Sequence, residues 1–186
     1  EYLKNDNFIV YEFFDYSKYP DHVSLKKYNG VNCSYAWKPI IFYDVCEKYG
    51  GIVQWLDTMT IYTNLQKVIN FTMSNGIYTP KSGGSIGKWT HKTCLEYMKV
   101  NLNLNLPPRA GGILTINYDI IWCKKLIKEW RDLSLIKECI VPNGSSRDNH
   151  RQDQAILSIL YYQYLLEYKF KSYDAYVNFH PHKRKI

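Results

Sequence analysis

The chain has 186 residues, 46% of them apolar, which is enough to bury one substantial core and too few for several, so a single domain over 1–186 is expected. Its longest apolar stretches, such as Ala155 to Leu160, fall far short of the roughly 20 residues a spanning helix needs, and no charged-then-apolar leader follows Glu1, so no membrane segment is expected. Lys and Arg exceed Asp and Glu by 24 to 17, a net +7 that favours a polyanionic partner, either nucleic acid or a nucleoside diphosphate.

Taken in chain order, Phe8 to Phe14 (FIVYEFF) is a β-branched and aromatic run that predicts a strand, closed by turn-rich Asp15 to Asn32. Apolar residues at helical spacing from Trp37 to Tyr49, stopped by Gly50-Gly51, predict a helix. Gly51 to Asp57 (GIVQWLD) reads as a buried strand that delivers a carboxylate to the edge of its sheet. Leu65 to Met73 is helical, Asn75-Gly76 a turn, and Tyr78 to Gly87 a loop. Thr90-His91 leads into a helix through Met98, and Gly111 to Asn117 (GGILTIN) is a strand. Asp119 is placed to cap a long amphipathic helix containing Ile120, Ile121, Leu126, Ile127 and Trp130. The polar loop Asn143 to His150 precedes a second long helix from Asp153 to Tyr168, and Tyr173 to Phe179 predicts a last strand. Strands alternating with helices argue for an α/β fold on a mostly parallel sheet. Cys33, Cys46, Cys94, Cys123 and Cys139 have no Cys-x-x-Cys spacing and read as buried small hydrophobes.

Three clusters could carry chemistry, and each also has a plainer explanation. Asp57 ends a strand, where a carboxylate can hold a divalent cation that neutralises phosphates, or can cap the next turn. His150-Arg-Gln-Asp-Gln154 opens a helix, where Asp153 and Gln154 can grip sugar hydroxyls or serve as capping residues. Asn178 to Arg184 offers His180 and His182 as metal ligands beside phosphate-binding cations, or forms a basic tail. Gly111-Gly112 permits close approach of a ligand to backbone, or a turn. A P-loop and a Gly-x-Gly-x-x-Gly fingerprint do not occur, which removes the main support for NTPase and dinucleotide-dehydrogenase readings.

Tyr19-Pro20, Tyr35-Ala-Trp-Lys-Pro39, Trp55-Leu-Asp57, Thr90-His91, Gly111-Gly112, Cys139-Ile-Val-Pro142 and His150-Arg-Gln-Asp-Gln154, in that order, resemble a little-characterised family of GT-A-like glycosyltransferases found in animals and large DNA viruses. The resemblance spans most of the chain and is strongest between Ala-Trp-Lys-Pro and Trp-Leu-Asp. It implies a GT-A-like, Rossmann-like and mostly parallel central sheet flanked by helices, with the first strand and helix, which hold the nucleotide base, lying upstream. It further implies a metal-dependent enzyme that moves a sugar from a UDP- or GDP-sugar onto a glycan or glycoprotein. Asp57 stands at the acidic metal motif with Mn2+ or Mg2+, joined by His180 or His182, while Asp153 supplies the base. Trp37, Lys38, Asp57, Gly111, Gly112, His150, Arg151 and Gln154 would contact donor or acceptor. The second acid of the usual Asp-x-Asp is missing, since Asp57-Thr58-Met59 stands there. Such an enzyme would work in the Golgi or secretory lumen if cellular, and in host cytoplasm or virion if viral. The alternatives are a pseudo-glycosyltransferase that binds carbohydrate without catalysis, or a basic nucleic-acid-binding module; the dispersed basic residues argue against nucleic acid as the partner.

Overall fold

The computed structural model describes residues 9–24, 34–58, 60–174 and 177–178. Helix α1 (Trp37–Tyr49) leads into β1 (Ile52–Leu56), the short β2 (Ile61–Tyr62), α2 (Leu65–Asn75) and β3 (Ile77–Tyr78). Two short helices, α3 (Ile86–Trp89) and α4 (Lys92–Tyr97), precede β4 (Ile113–Asn117). The chain then runs through α5 (Ile121–Ser134), α6 (Lys137–Ile140), α7 (Gln152–Tyr168) and β5 (Val177–Asn178).

The fold is α/β, but the described sheet is small and antiparallel, which corrects the expected mostly parallel Rossmann-like sheet. Its order is β1-β4-β3, with Ile52 facing Asn117 and Leu56 facing Ile113 in one antiparallel pair, and Ile77 facing Ile116 in the other. Strands β1 and β3 flank the crossover helix α2 and run the same way, yet they never bond to each other. The later strand β4 takes the place between them and runs against both. Alternation of strands and helices along the sequence cannot reveal an insertion of that kind.

Because β4 is central it is buried on both faces, with Ile113, Leu114, Thr115 and Ile116 all inaccessible. Leu114 and Ile116 join the main core with Ile40, Phe42, Leu126, Trp130, Ile156 and Leu160 of α1, α5 and α7. Ile113 instead meets Val68 and Phe71 of α2 together with Tyr78. The sheet is thus sandwiched between α2 and a three-helix layer. Helix α7 lies deepest, buried all round from Ala155 to Tyr162, which explains why its sequence there is apolar or aromatic except at Ser158, whose hydroxyl donates to Gln154 O at 2.6 Å. Trp130 is fully buried against Phe42, ring centroids 6.1 Å apart. Its loss to Ala would cost about 3–5 kcal/mol.

Three further expectations change. Ile9 to Phe14 belongs to no strand; Phe14 stacks on Tyr19 and Glu12 pairs with Lys48 of α1. Asp119 does not cap α5, whose N-cap is Ile120; its carboxylate accepts the Gly51 N–H at 3.0 Å and ties β1 to the start of that helix. Of the strand expected over Tyr173 to Phe179, Val177–Asn178 pairs with β2, while Tyr173 and Asp174 are irregular and the rest lies outside the described residues. Cys46, Cys94, Cys123 and Cys139 are buried free thiols, as expected, and Cys33 lies outside the described residues. Among the described residues no helix is long and apolar enough to cross a membrane.

Candidate active site

Four separate segments converge beyond the end of β1. Lys38 comes from the first turn of α1, where Pro39 is tolerated because its missing N–H has no helical partner anyway. Asp57 follows β1, Gly111-Gly112 precedes β4, and Arg151 to Gln154 opens α7. The Lys38 side chain is 5% exposed, and its ammonium lies 3.4 Å from Asp57 Oδ1 and 3.2 Å from Asp153 Oδ2. It also donates to the Gly111 carbonyl at 3.3 Å. The two acids differ: the Asp57 side chain is 42% exposed and that of Asp153 only 7%.

Local sequence explains this placement. Asp57 is fixed by three contacts, since its N–H donates to Gly112 O at 2.8 Å, Oδ1 accepts the Trp55 indole N–H at 2.8 Å, and Lys38 holds the same oxygen. A Cβ on Gly112 would stand 2.5 Å from Asp57 Oδ2, and one on Gly111 3.1 Å from Asp153 Oδ2. The glycine pair therefore admits the two carboxylates to the backbone. Trp130 of the core donates its indole N–H to Asp153 O at 2.9 Å and so anchors the start of α7. Among the described residues four non-glycine positions have positive φ, and two of them, Tyr35 (57°) and Gln152 (40°), line this pocket. Such conformations cost on the order of 1–3 kcal/mol each and persist where the surroundings impose them, as at working sites.

Burial raises the Asp153 carboxyl above the ordinary aspartate range against the opposing pull of Lys38, and the Asp57 charge adds to the rise. For Lys38, burial works to lower the ammonium pKa, but Asp153 and then Asp57 outweigh it, so the net shift is upward and the lysine stays charged. A carboxylate that is harder to ionise than usual and sits at a cavity wall is suited to take a proton.

The cavity encloses about 120 Å3 and is polar, lined by Tyr35, Lys38, Asp57, Arg147, Arg151 and Asp153 among others. The Arg151 guanidinium lies 4.2 Å from the Trp89 ring centre and that of Arg147 5.9 Å from Tyr35, so both are steered by aromatic faces. The buried Gln152 Nε2 at the cavity has no hydrogen-bond partner, and Asp153 Oδ2 is held by Lys38. An adjoining hollow of about 350 Å3 shares Tyr35, Lys38 and Asp57 and adds Trp37, Trp55 and Leu56.

Of the residues singled out from sequence, Lys38, Asp57, Gly111, Gly112, Arg151, Asp153 and Gln154 line one cavity, and Trp37 lines the hollow beside it. His150 does not reach either. It is fully buried; Nδ1 accepts the His91 N–H at 3.1 Å, which leaves Nε2 to donate to Cys139 O at 3.0 Å. Burial pushes its pKa down to about 4, so it is a neutral strut between the start of α4 and α6 and has no nitrogen left for a sugar. His180 and His182 lie outside the described residues. The sequence motifs include Tyr35 and Gln152 but give them no role of their own, and they miss Arg147, since an arginine within a polar loop carries no local signature. Gly83-Gly84-Ser85-Ile86-Gly87 has the spacing of a hydrolase nucleophile elbow, but β3 ends at Tyr78 and the Ser85 hydroxyl caps α3 by accepting the Lys88 N–H at 3.2 Å.

The described donors do not fit a divalent cation as they stand. Mn2+ or Mg2+ needs carboxylate oxygens about 2.0–2.2 Å away, and the position between Asp57 and Asp153 is taken by the Lys38 ammonium. Comparison with known protein families, with characterised proteins and with solved structures finds no match to this chain.

Proposed function

We propose that this chain is a glycosyltransferase domain that moves a sugar from a nucleoside-diphosphate sugar to a hydroxyl acceptor. The observation that carries the reading is the convergence of two acids, a lysine, two arginines and a glycine pair from distant segments onto one polar cavity beside an aromatic hollow. Guanidinium groups such as Arg147 and Arg151 match the planar, bidentate demands of a diphosphate. Trp37 and Trp55 give an apolar face of the kind that packs against a pyranose ring, and Gln154 an amide for its hydroxyls. Asp153 takes the proton from the attacking hydroxyl as the sugar–phosphate bond breaks and the charge of the departing diphosphate is met by the arginines. Positioning and leaving-group stabilisation thus carry the rate. The GT-A relationship belongs to this proposal and rests on the order of the motifs around the cavity, since the described sheet is antiparallel.

The test is release of nucleoside diphosphate from UDP- and GDP-sugars with a panel of glycan acceptors. Acceptor-stimulated release that disappears in Asp153→Asn is expected. Binding without turnover would favour the non-catalytic carbohydrate-binding reading, and absence of both would remove each.

A further inference from the structure

Lys38 is an unusual residue to find where it is. A lysine in the first turn of a helix ordinarily reaches into water, yet this one is turned inward, 5% exposed, and its ammonium is ringed by Asp57 Oδ1, Asp153 Oδ2 and the Gly111 carbonyl at 3.2–3.4 Å. That is an all-oxygen cage with two carboxylates and a backbone carbonyl, the donor set expected around Mg2+ or Mn2+. The distances are those of an ammonium and too long for a metal bond. Only one cation fits between the two acids, and this one is covalently part of α1.

We propose that Lys38 is a built-in replacement for the divalent cation, so that the pocket takes its nucleoside diphosphate without metal, Lys38 holding the two acids together and Arg147 and Arg151 meeting the phosphates. The sequence is consistent with that division of labour. The second acid of Asp-x-Asp, which would ligate the metal directly, is Met59. The arginines line the same cavity as Asp57, and each is held over an aromatic ring and not in an ion pair with either acid. Lys38 carries a single charge where a metal ion carries two, and the guanidinium groups supply the positive charge that the phosphates still need.

This inference rests on the proposed nucleotide-sugar reading only for its ligand; the claim about the cage stands by itself. The first experiment titrates UDP- and GDP-sugars into the full chain in excess EDTA and again in excess Mn2+, expecting equal affinity. The second follows Mn2+ alone by the loss of its free-ion electron paramagnetic resonance signal. Wild type is expected to bind none, and Lys38→Met, which vacates the cage while keeping its bulk, is expected to gain a site that Lys38→Met/Asp57→Asn lacks. Circular dichroism establishes folding, and if Lys38→Met does not fold, Lys38→Arg serves instead, expected to keep EDTA-resistant binding. Nucleotide binding that requires Mn2+, Mn2+ binding by wild type that Asp57→Asn abolishes, or a folded Lys38→Met that takes up no metal would each overturn the proposal. If no sugar nucleotide binds wild type under either condition, the transferase reading falls and the Mn2+ titration still decides the cage.

Discussion

Two buried cations, Arg109 and Lys38, sit among the described residues, and their surroundings differ in an instructive way. Arg109, just ahead of β4, is inaccessible and closed in: Nη1 donates to Asp174 at 2.8 Å, Nη2 donates to Ser172, and the guanidinium lies 4.0 Å from the Tyr161 ring centre. Asp174 is further held by Lys81 at 2.8 Å. That cluster fastens the segment after α7 to the helix and the loop beneath it. Lys38 is nearly as buried, but one of its acids is half exposed, the backbone around it is glycine, and it faces a cavity that two arginines also line. Each cluster has a buried polar atom without a hydrogen bond, Arg109 Nε in one and Gln152 Nε2 beside the other, yet only Gln152 lines the 120 Å3 cavity. A buried ion pair by itself is a fastening; it reads as a site when its remaining capacity opens onto a space a ligand can enter.

The sharpest way to break that comparison is Asp153→Asn, which keeps shape and removes the proton acceptor. Turnover should fall by about 10²–10⁴ with ligand affinity little changed, measured as kcat against KM. Next comes Arg109→Met, which should cost about 1.5–3 kcal/mol in urea unfolding by removing the charged hydrogen bonds to Asp174 and Ser172, Asp174 keeping Lys81, while nucleotide affinity of the folded fraction stays that of wild type. If affinity fell with it, the two clusters would not be separable.

His150 offers a third handle. Its folded pKa of about 4 lies below its ordinary value near 6.5, so between those values the unfolded chain binds more protons and stability rises with pH. Its contribution is therefore full above pH ~6.5 and declines as pH falls toward ~4, by up to about 3 kcal/mol. Unfolding midpoints measured at both ends of that window should show this slope, and His150→Gln should flatten it. The smallest effect is expected from Trp55→Phe, which deletes the indole N–H held by Asp57 and should weaken ligand binding about tenfold or less.

The elements were legible wherever one residue pattern determines one structure. The 3.6-residue spacing marks α1 and α5, the long apolar run from Ala155 marks α7, and the short apolar runs mark β1 and β4. Strand direction was not, because both faces of β4 are buried and its neighbours are set by what it packs between, which no period encodes. Ile9 to Phe14 has strand composition but no ladder among the described residues, so propensity without a partner strand was misleading. At the site, Asp57 and Asp153 were legible because each stands at an element boundary. Lys38 was noticed as part of a motif, but its role as the centre of the cage depends on Gly111 O and on two acids far along the chain. His150 shares a motif with Asp153 but precedes the helix, and its ring is taken up by His91 and Cys139 instead of facing the cavity.

The most direct test of the central claim is calorimetric titration of UDP- and GDP-sugars into wild type and into Arg147→Ala/Arg151→Ala. The account predicts a single site in wild type and a loss of about 100-fold or more in the double variant, as expected for two charge-assisted contacts. A folded wild type that binds none of these ligands, or a double variant that binds as tightly, would contradict it.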